Sequence, residues 1–143
     1  MIDLIPRWET SAGCGSTESI VVTSYSGGDV DPEIWATWEA LSASSLETNP
    51  FYQPFYLVPW LKFFGAMQDA VVFLAWRSTV DGQARLVGVL PILRSFPRFG
   101  VFGIAVAAEG FGAWTPPLLD TDNPAEIVDA FLKALRAIGA HKI

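Results

Sequence analysis

VVFLAWRSTVDGQARLVGVLPIL, from Val71 to Leu93, decides how this chain folds. Val71 to Arg77 is strongly apolar and rich in β-branched and aromatic residues, which suits a strand. Arg85 to Leu93 is a second run of the same kind. Asp81-Gly82 between them is a hairpin signal, because glycine supplies the positive φ that a tight reversal needs. The segment therefore reads as two antiparallel strands. Gly88 and Pro91 interrupt the second one. A glycine inside a strand marks a bulge or a close backbone approach, and proline cannot donate to the ladder, so an edge or an irregular hydrogen-bond pattern is expected at Pro91.

Immediately upstream lies NPFYQPFYLVPWLKFFG, Asn49 to Gly65, whose only charge is Lys62. Asn49-Pro50 opens a turn, since the residue before proline is pushed out of the α region. Gln53-Pro54 starts a helix, with proline in the first turn where its missing N–H costs nothing. Apolar residues cover nearly the whole circumference from Pro54 to Phe64, which predicts a helix buried all round. Pro59 removes one backbone bond and crowds the carbonyl of Phe55, so a kink or a restart is expected there. Phe51 and Tyr52, at the N-terminal edge, should be more exposed than Trp60 and Phe64.

Before this stretch, Asp31-Pro32-Glu33 starts another helix, with Asp31 as cap and Pro32 in first position. Ile34, Trp38 and Leu41 share one face with Trp35 beside them, and Ser42 to Ser45 end the helix. Glu18 to Ser26 reads as a strand closed by Gly27-Gly28. Residues 1–18 read as an irregular leader.

After the hairpin, Phe96-Pro97-Arg98 is a loop and Val101 to Ala107 a third middle strand. Then come a glycine-aromatic loop, Glu109 to Trp114, and a short apolar piece, Leu118-Leu119. Asn123-Pro124-Ala125-Glu126 is the clearest helix start, combining a cap, a first-position proline and an acid that can reach back. Ile127, Phe131, Leu135 and Ile138 form its apolar stripe, widened by Val128 and Leu132, and Gly139 stops it.

The composition narrows the function. The chain has 143 residues, 51% hydrophobic and 17% charged; charged residues usually make up about 25%. That implies a buried core plus a face covered by something else. The longest uncharged run, Thr48 to Leu61, holds three prolines and falls short of the ~20 residues a membrane-spanning helix needs. No basic head precedes an apolar block, so no secretory signal is visible. A net charge of −6 and a pI near 4.6 argue against nucleic acid, because no basic stripe is present to neutralise phosphates. Arg77, Arg85, Arg94 and Arg98 concentrate in the middle and read as strand-edge and loop solubility, or as an anion site. Cys14 is the only cysteine, which excludes an intrachain disulfide and fits a reduced, cytoplasmic setting.

The order strand, two helices, three or more antiparallel strands, helix resembles the first two-thirds of a GNAT-type (acyl-CoA N-acyltransferase-like) domain. More narrowly, Trp38 and Leu41, Asn49-Pro50-Phe51, Trp60, Phe64-Gly65, Asp81-Gly82, Leu86 to Pro91 and Pro117 to Asp120 resemble the N-terminal half of the CelD-type, FemAB-like acetyltransferases. That family is associated with cellulose and exopolysaccharide biosynthesis. The resemblance covers about residues 32–138. It implies an α+β fold, a mostly antiparallel sheet flanked by helices in the order β-α-α-β-β-β-α. Residues 19–143 would then be a partial GNAT-like domain, completed by a missing C-terminal half or by a partner chain, a homodimer included. It further implies acyl transfer from acyl-CoA to an amine or hydroxyl of a small molecule or polysaccharide precursor. The family's acyl-CoA loop lies in its second unit, so acyl-CoA is expected to be a co-substrate of the full-length protein and not to bind this chain. A non-catalytic module that completes its sheet by self-association or with a partner is the alternative.

GNAT enzymes hold the CoA pyrophosphate on backbone N–H groups with a Gln/Arg-x-x-Gly-x-Gly/Ala signature. Arg85 to Leu90 and Arg136 to His141 approach that spacing with the wrong last residue. The first lies inside a strand and the second at a helix end, where the dipole repels phosphate. Glu109 is the candidate general base or amine contact, set against a solvated loop carboxylate. Phe51, Tyr52, Phe111 and Trp114 are the candidate substrate-binding wall, set against core packing. His141 is the only histidine, so no nucleophilic triad assembles, and no Cys/His cluster has metal-ligand spacing.

Overall fold

The structure, a computed structural model, describes residues 19–26, 29–63, 70–94, 104–106 and 116–137. The elements are β1 (Ile20–Ser26), α1 (Glu33–Ser44), a one-turn 3-10 helix (Pro50–Tyr52), α2 (Pro54–Phe63), β2 (Ala70–Ser78), β3 (Ala84–Arg94), β4 (Ile104–Val106), β5 (Leu118–Leu119) and α3 (Pro124–Ala137). The class is α+β. All strand pairs are antiparallel, in the order β1-β2-β3. The far side of β3 is shared by two short strands end to end. β4 pairs with Ile92 to Arg94, and β5 with Gly88 and Val89.

Helices cover both faces of the sheet. On one face, Trp38 and Leu41 of α1 and Leu57 and Leu61 of α2 pack on Leu74 and Val89. On the other, Ile127 and Phe131 of α3 pack on Val71, Phe73, Ala75 and Val87. This explains why β2 and β3 read as unbroken apolar runs. A strand wet on one face alternates, whereas a strand buried on both does not. Burying each of the larger side chains removes roughly 1.5–3 kcal/mol of apolar exposure.

The two interruptions in β3 have separate explanations. Ala75 pairs with Gly88 but Trp76 pairs with Leu86, so the register slips by one residue on β3. Val87 and Gly88 consequently both face α3, and Leu86 and Val89 both face α1 and α2. The bulge restores correct alternation on either side of it. At Pro91, Asp120 N–H donating to the Val87 carbonyl at 2.8 Å shows that positions 87 and 89 direct their backbone groups toward β5. By the same alternation the Pro91 nitrogen points outward, in the interval between the partners of β5 and β4. Among the described residues no ladder bond is lost there.

The Asp81-Gly82 turn forms as expected. Gly82 has φ +75, and Thr79 N–H donates to the Gln83 carbonyl at 2.7 Å. Helix α1 begins at Glu33, one residue after Pro32, and Asp31 Oδ1 accepts from Glu33 N–H at 3.0 Å.

Several expectations are corrected. Helix α2 starts at Pro54 as predicted and continues through Pro59, so of the two outcomes expected there the restart does not occur. It is not buried all round, because Phe55 and Phe63 are 60% and 75% exposed. Tyr52, expected at the surface, is 1% exposed, and Trp60 is only half-buried. The chain turns inward at Tyr52 because its carbonyl accepts from buried Trp38 Nε1 at 2.7 Å. Val128 and Leu132 do not widen the stripe of α3; they face solvent at 39% and 45% exposure, and the helix seats on Ile127 and Phe131. Asn123 adopts φ +50, and its Nδ2 donates to Glu126 Oε2 at 3.0 Å. Phe64, Ile138, Gly139 and the leader lie outside the described residues.

Candidate functional site

The corner joining α1 to α2 gathers the described part of the predicted wall. Asn49 organises it. Its Oδ1 accepts from Phe51 N–H at 3.1 Å and its carbonyl from Tyr52 N–H at 3.1 Å, which folds Pro50–Tyr52 into a turn. Its Nδ2 donates to the Pro116 carbonyl at 3.1 Å, tying the corner to the segment leading into β5. With Asn49 only 5% exposed, these bonds form out of water and hold the backbone firmly. Phe51 remains half-buried and meets the Tyr56 ring edge-on, with centroids 5.4 Å apart at 69°.

Phe51 is thus placed at a surface-reaching aromatic pair, whereas Tyr52 packs in the core beside Leu57 and Leu61. Glu109, Phe111 and Trp114 lie outside the described residues. Residues 49–56 contain no carboxylate, histidine, lysine or cysteine. The corner can supply a stacking surface and a tyrosine hydroxyl.

A charged cluster sits at the other end of β2 and β3. Arg77, expected at a solvated strand edge, is buried at 4% exposure. Its Nη1 donates to Asp122 Oδ2 at 3.1 Å and its Nη2 to Glu126 Oε2 at 3.3 Å; both also reach the Asp122 carbonyl at 3.2 Å. Arg85 pairs with Asp120 across β3 and β5. These arginines are spent on carboxylates at the start of α3, so the cluster ties that helix to the sheet. Among the described residues, no group of histidine, cysteine and acidic side chains is arranged to hold a metal. Nor is any helix among them long and apolar enough to cross a membrane.

The Arg85-to-Leu90 near-match to a CoA loop is excluded by position. Gly88 lies on the sheet surface directly against Ile127 and Phe131, leaving no space for a pyrophosphate. Asn49 and Arg77 are the residues that sequence reasoning undervalued. The paired carboxylates Asp122 and Glu126 beside a helix start were the available signal for Arg77.

Comparison with protein-family models, curated proteins and solved structures finds no match to this chain.

Proposed function

We propose that this chain is the acceptor-side unit of a GNAT-like acetyltransferase of the CelD-type, FemAB-like kind. In this reading it helps to form the groove for an amine or hydroxyl acceptor, and acetyl-CoA is held by another unit. The observation that carries the proposal is the chain order. Strand, two helices, an antiparallel hairpin, a further strand and a helix run through a sheet ordered β1-β2-β3-β4, with the first two helices on one face and the third on the other. The Asn49 corner adds a site-level feature, a fixed aromatic pair at the junction of α1 and α2.

Two measurements test the reading. Thiol release from acetyl-CoA by the whole protein, with a panel of amine and hydroxyl acceptors, should depend on acceptor. Absence of release with every acceptor contradicts acyl transfer. Calorimetry of acetyl-CoA against this chain alone should give no micromolar binding. Micromolar binding would contradict the assignment of the CoA site to another unit.

A further inference from the structure

The β2–β3 hairpin closes through Thr79 to Gln83. The Thr79 carbonyl accepts from Gly82 N–H at 2.9 Å, and Thr79 N–H donates to the Gln83 carbonyl at 2.7 Å. Gly82 has φ +75, whereas neither Val80 nor Asp81 has a positive φ. This is a type I turn followed by a left-handed glycine, the usual form of a three-residue hairpin loop. The turn stands clear of the fold. Val80 is 88% exposed, Asp81 and Gly82 are exposed, and a Cβ at Gly82 would meet no atom within 4 Å. The Asp81 carboxylate makes no hydrogen bond or ion pair with the described residues.

We propose that Asp81 is a modification site, where the chain isomerises through a succinimide to an isoaspartyl linkage. The Gly82 nitrogen attacks Asp81 Cγ with its lone pair. The new N–Cγ bond replaces the bond to one carboxyl oxygen, which leaves as water with the proton from nitrogen. Water then adds to the main-chain carbonyl of the ring and breaks its bond to nitrogen. The main chain now runs through Cβ and Cγ, and the former main-chain carbonyl is a free carboxylate. One water leaves and one returns, and nothing is oxidised or reduced. Glycine carries no Cβ to obstruct the attack, and the protonated carboxyl is the electrophile, so mildly acidic solution favours the reaction.

Asp81-Gly82 is the one Asp-Gly or Asn-Gly pair in the sequence. The other described Asp and Asn residues lack its combination of features. Asp31, Asn49 and Asn123 precede proline, whose nitrogen carries no hydrogen. Asp120 and Asp122 are engaged by Arg85 and Arg77, and Asp129 lies in α3 paired with Lys133. Asp29 precedes Val30, which is β-branched and buried.

The turn itself controls the rate. Gly82 N–H must leave the Thr79 carbonyl before its nitrogen can attack, and Thr79 Oγ1, donating to the Gln83 carbonyl at 2.9 Å, fastens the same loop. Local opening of an exposed turn is therefore the gate. Once formed, the isoaspartyl linkage adds an atom to the main chain and puts Thr79 and Gln83 out of register beside the Ser78–Ala84 pair. This modification does not depend on the acyltransferase reading.

Peptide mapping of the folded chain after incubation in mildly acidic buffer tests it. Trypsin releases Ser78 to Arg85, STVDGQAR, in which Asp81 is the only aspartate. A second form of this peptide, of unchanged mass and different retention, should accumulate with time. It should be lost in Asp81→Glu, whose longer side chain would have to close a six-membered ring, and should form faster in Thr79→Val, which lacks the fastening hydroxyl. Absence of the isomeric peptide, or isomerisation appearing first at another aspartate, overturns the proposal. Equal rates in the wild type and Thr79→Val contradict the gating by the turn.

Discussion

Gly88 of β3 lies directly beneath Ile127 of α3. A Cβ at Gly88 would stand 2.7 Å from Ile127 Cγ2 and 2.9 Å from the Phe131 ring. This contact sets how closely α3 approaches the sheet, and it occurs at the bulge where two successive residues of β3 face the helix.

Gly88→Ala should therefore destabilise the fold by roughly 1–3 kcal/mol, the usual cost of overpacking a filled core. Ile127 is fully buried and its γ2 methyl is fixed to a branched Cβ, so it cannot swing aside. Ile127→Leu removes that methyl. Denaturant unfolding of the double variant should show a loss smaller than the sum of the two single losses.

Trp38 is fully buried and donates through Nε1 to the Tyr52 carbonyl at 2.7 Å. Trp38→Phe removes that donor and leaves a void where the larger ring stood. The expected loss is about 2–4 kcal/mol in chemical denaturation. The same variant should loosen the 50–52 turn, read as faster amide exchange at Phe51 and Tyr52.

Arg77 and its carboxylates differ in exposure. Its side chain is 5% exposed, against 73% for Asp122 and 40% for Glu126. Removing the cation altogether lets the two acids hydrate, whereas a lysine keeps a buried charge without the planar fork that reaches both partners. Arg77→Lys should cost roughly 1–3 kcal/mol, more than Arg77→Met, measured by thermal unfolding of both variants.

The Tyr25 hydroxyl is held above its ordinary value of 10.0, chiefly by burial, with a further push from Asp31 and an opposing hydrogen bond from Thr23. In the interval above the unfolded value, the native state retains a proton that the unfolded chain has lost. Stability is therefore complete below pH ~10 and falls as pH rises through the folded value. Tyr25→Phe should flatten that alkaline limb of a stability–pH profile and leave the neutral region nearly level.

Much of the fold is legible in the sequence. The hairpin followed from Asp81-Gly82, and the starts of α2 and α3 from Pro54 and from Asn123-Pro124, because turns and caps are set by local backbone chemistry. What could not be read was set at long range. Arg77 finds Asp122 45 residues away, and Asn49 finds Pro116 67 residues away. Exposure on the apolar helix α2 was equally illegible. A sequence with no polar face carries no sign of which side meets the sheet, so Phe55 and Phe63 stand outward where burial was expected. Of the candidate wall, Phe51 alone kept a surface position among the described residues, because its neighbours Asn49 and Tyr52 took the buried contacts.

In the proposed function this chain serves the acceptor and not the acyl donor. Steady-state kinetics of Phe51→Ala in the whole protein test it most directly. Removing Phe51 strips the edge-on partner of Tyr56 from the corner, a loss on the order of 1–2 kcal/mol in aromatic packing and contact area. KM for the acceptor should rise about tenfold, with KM for acetyl-CoA unchanged. An equal rise in KM for acetyl-CoA, or an unchanged KM for the acceptor, would contradict it.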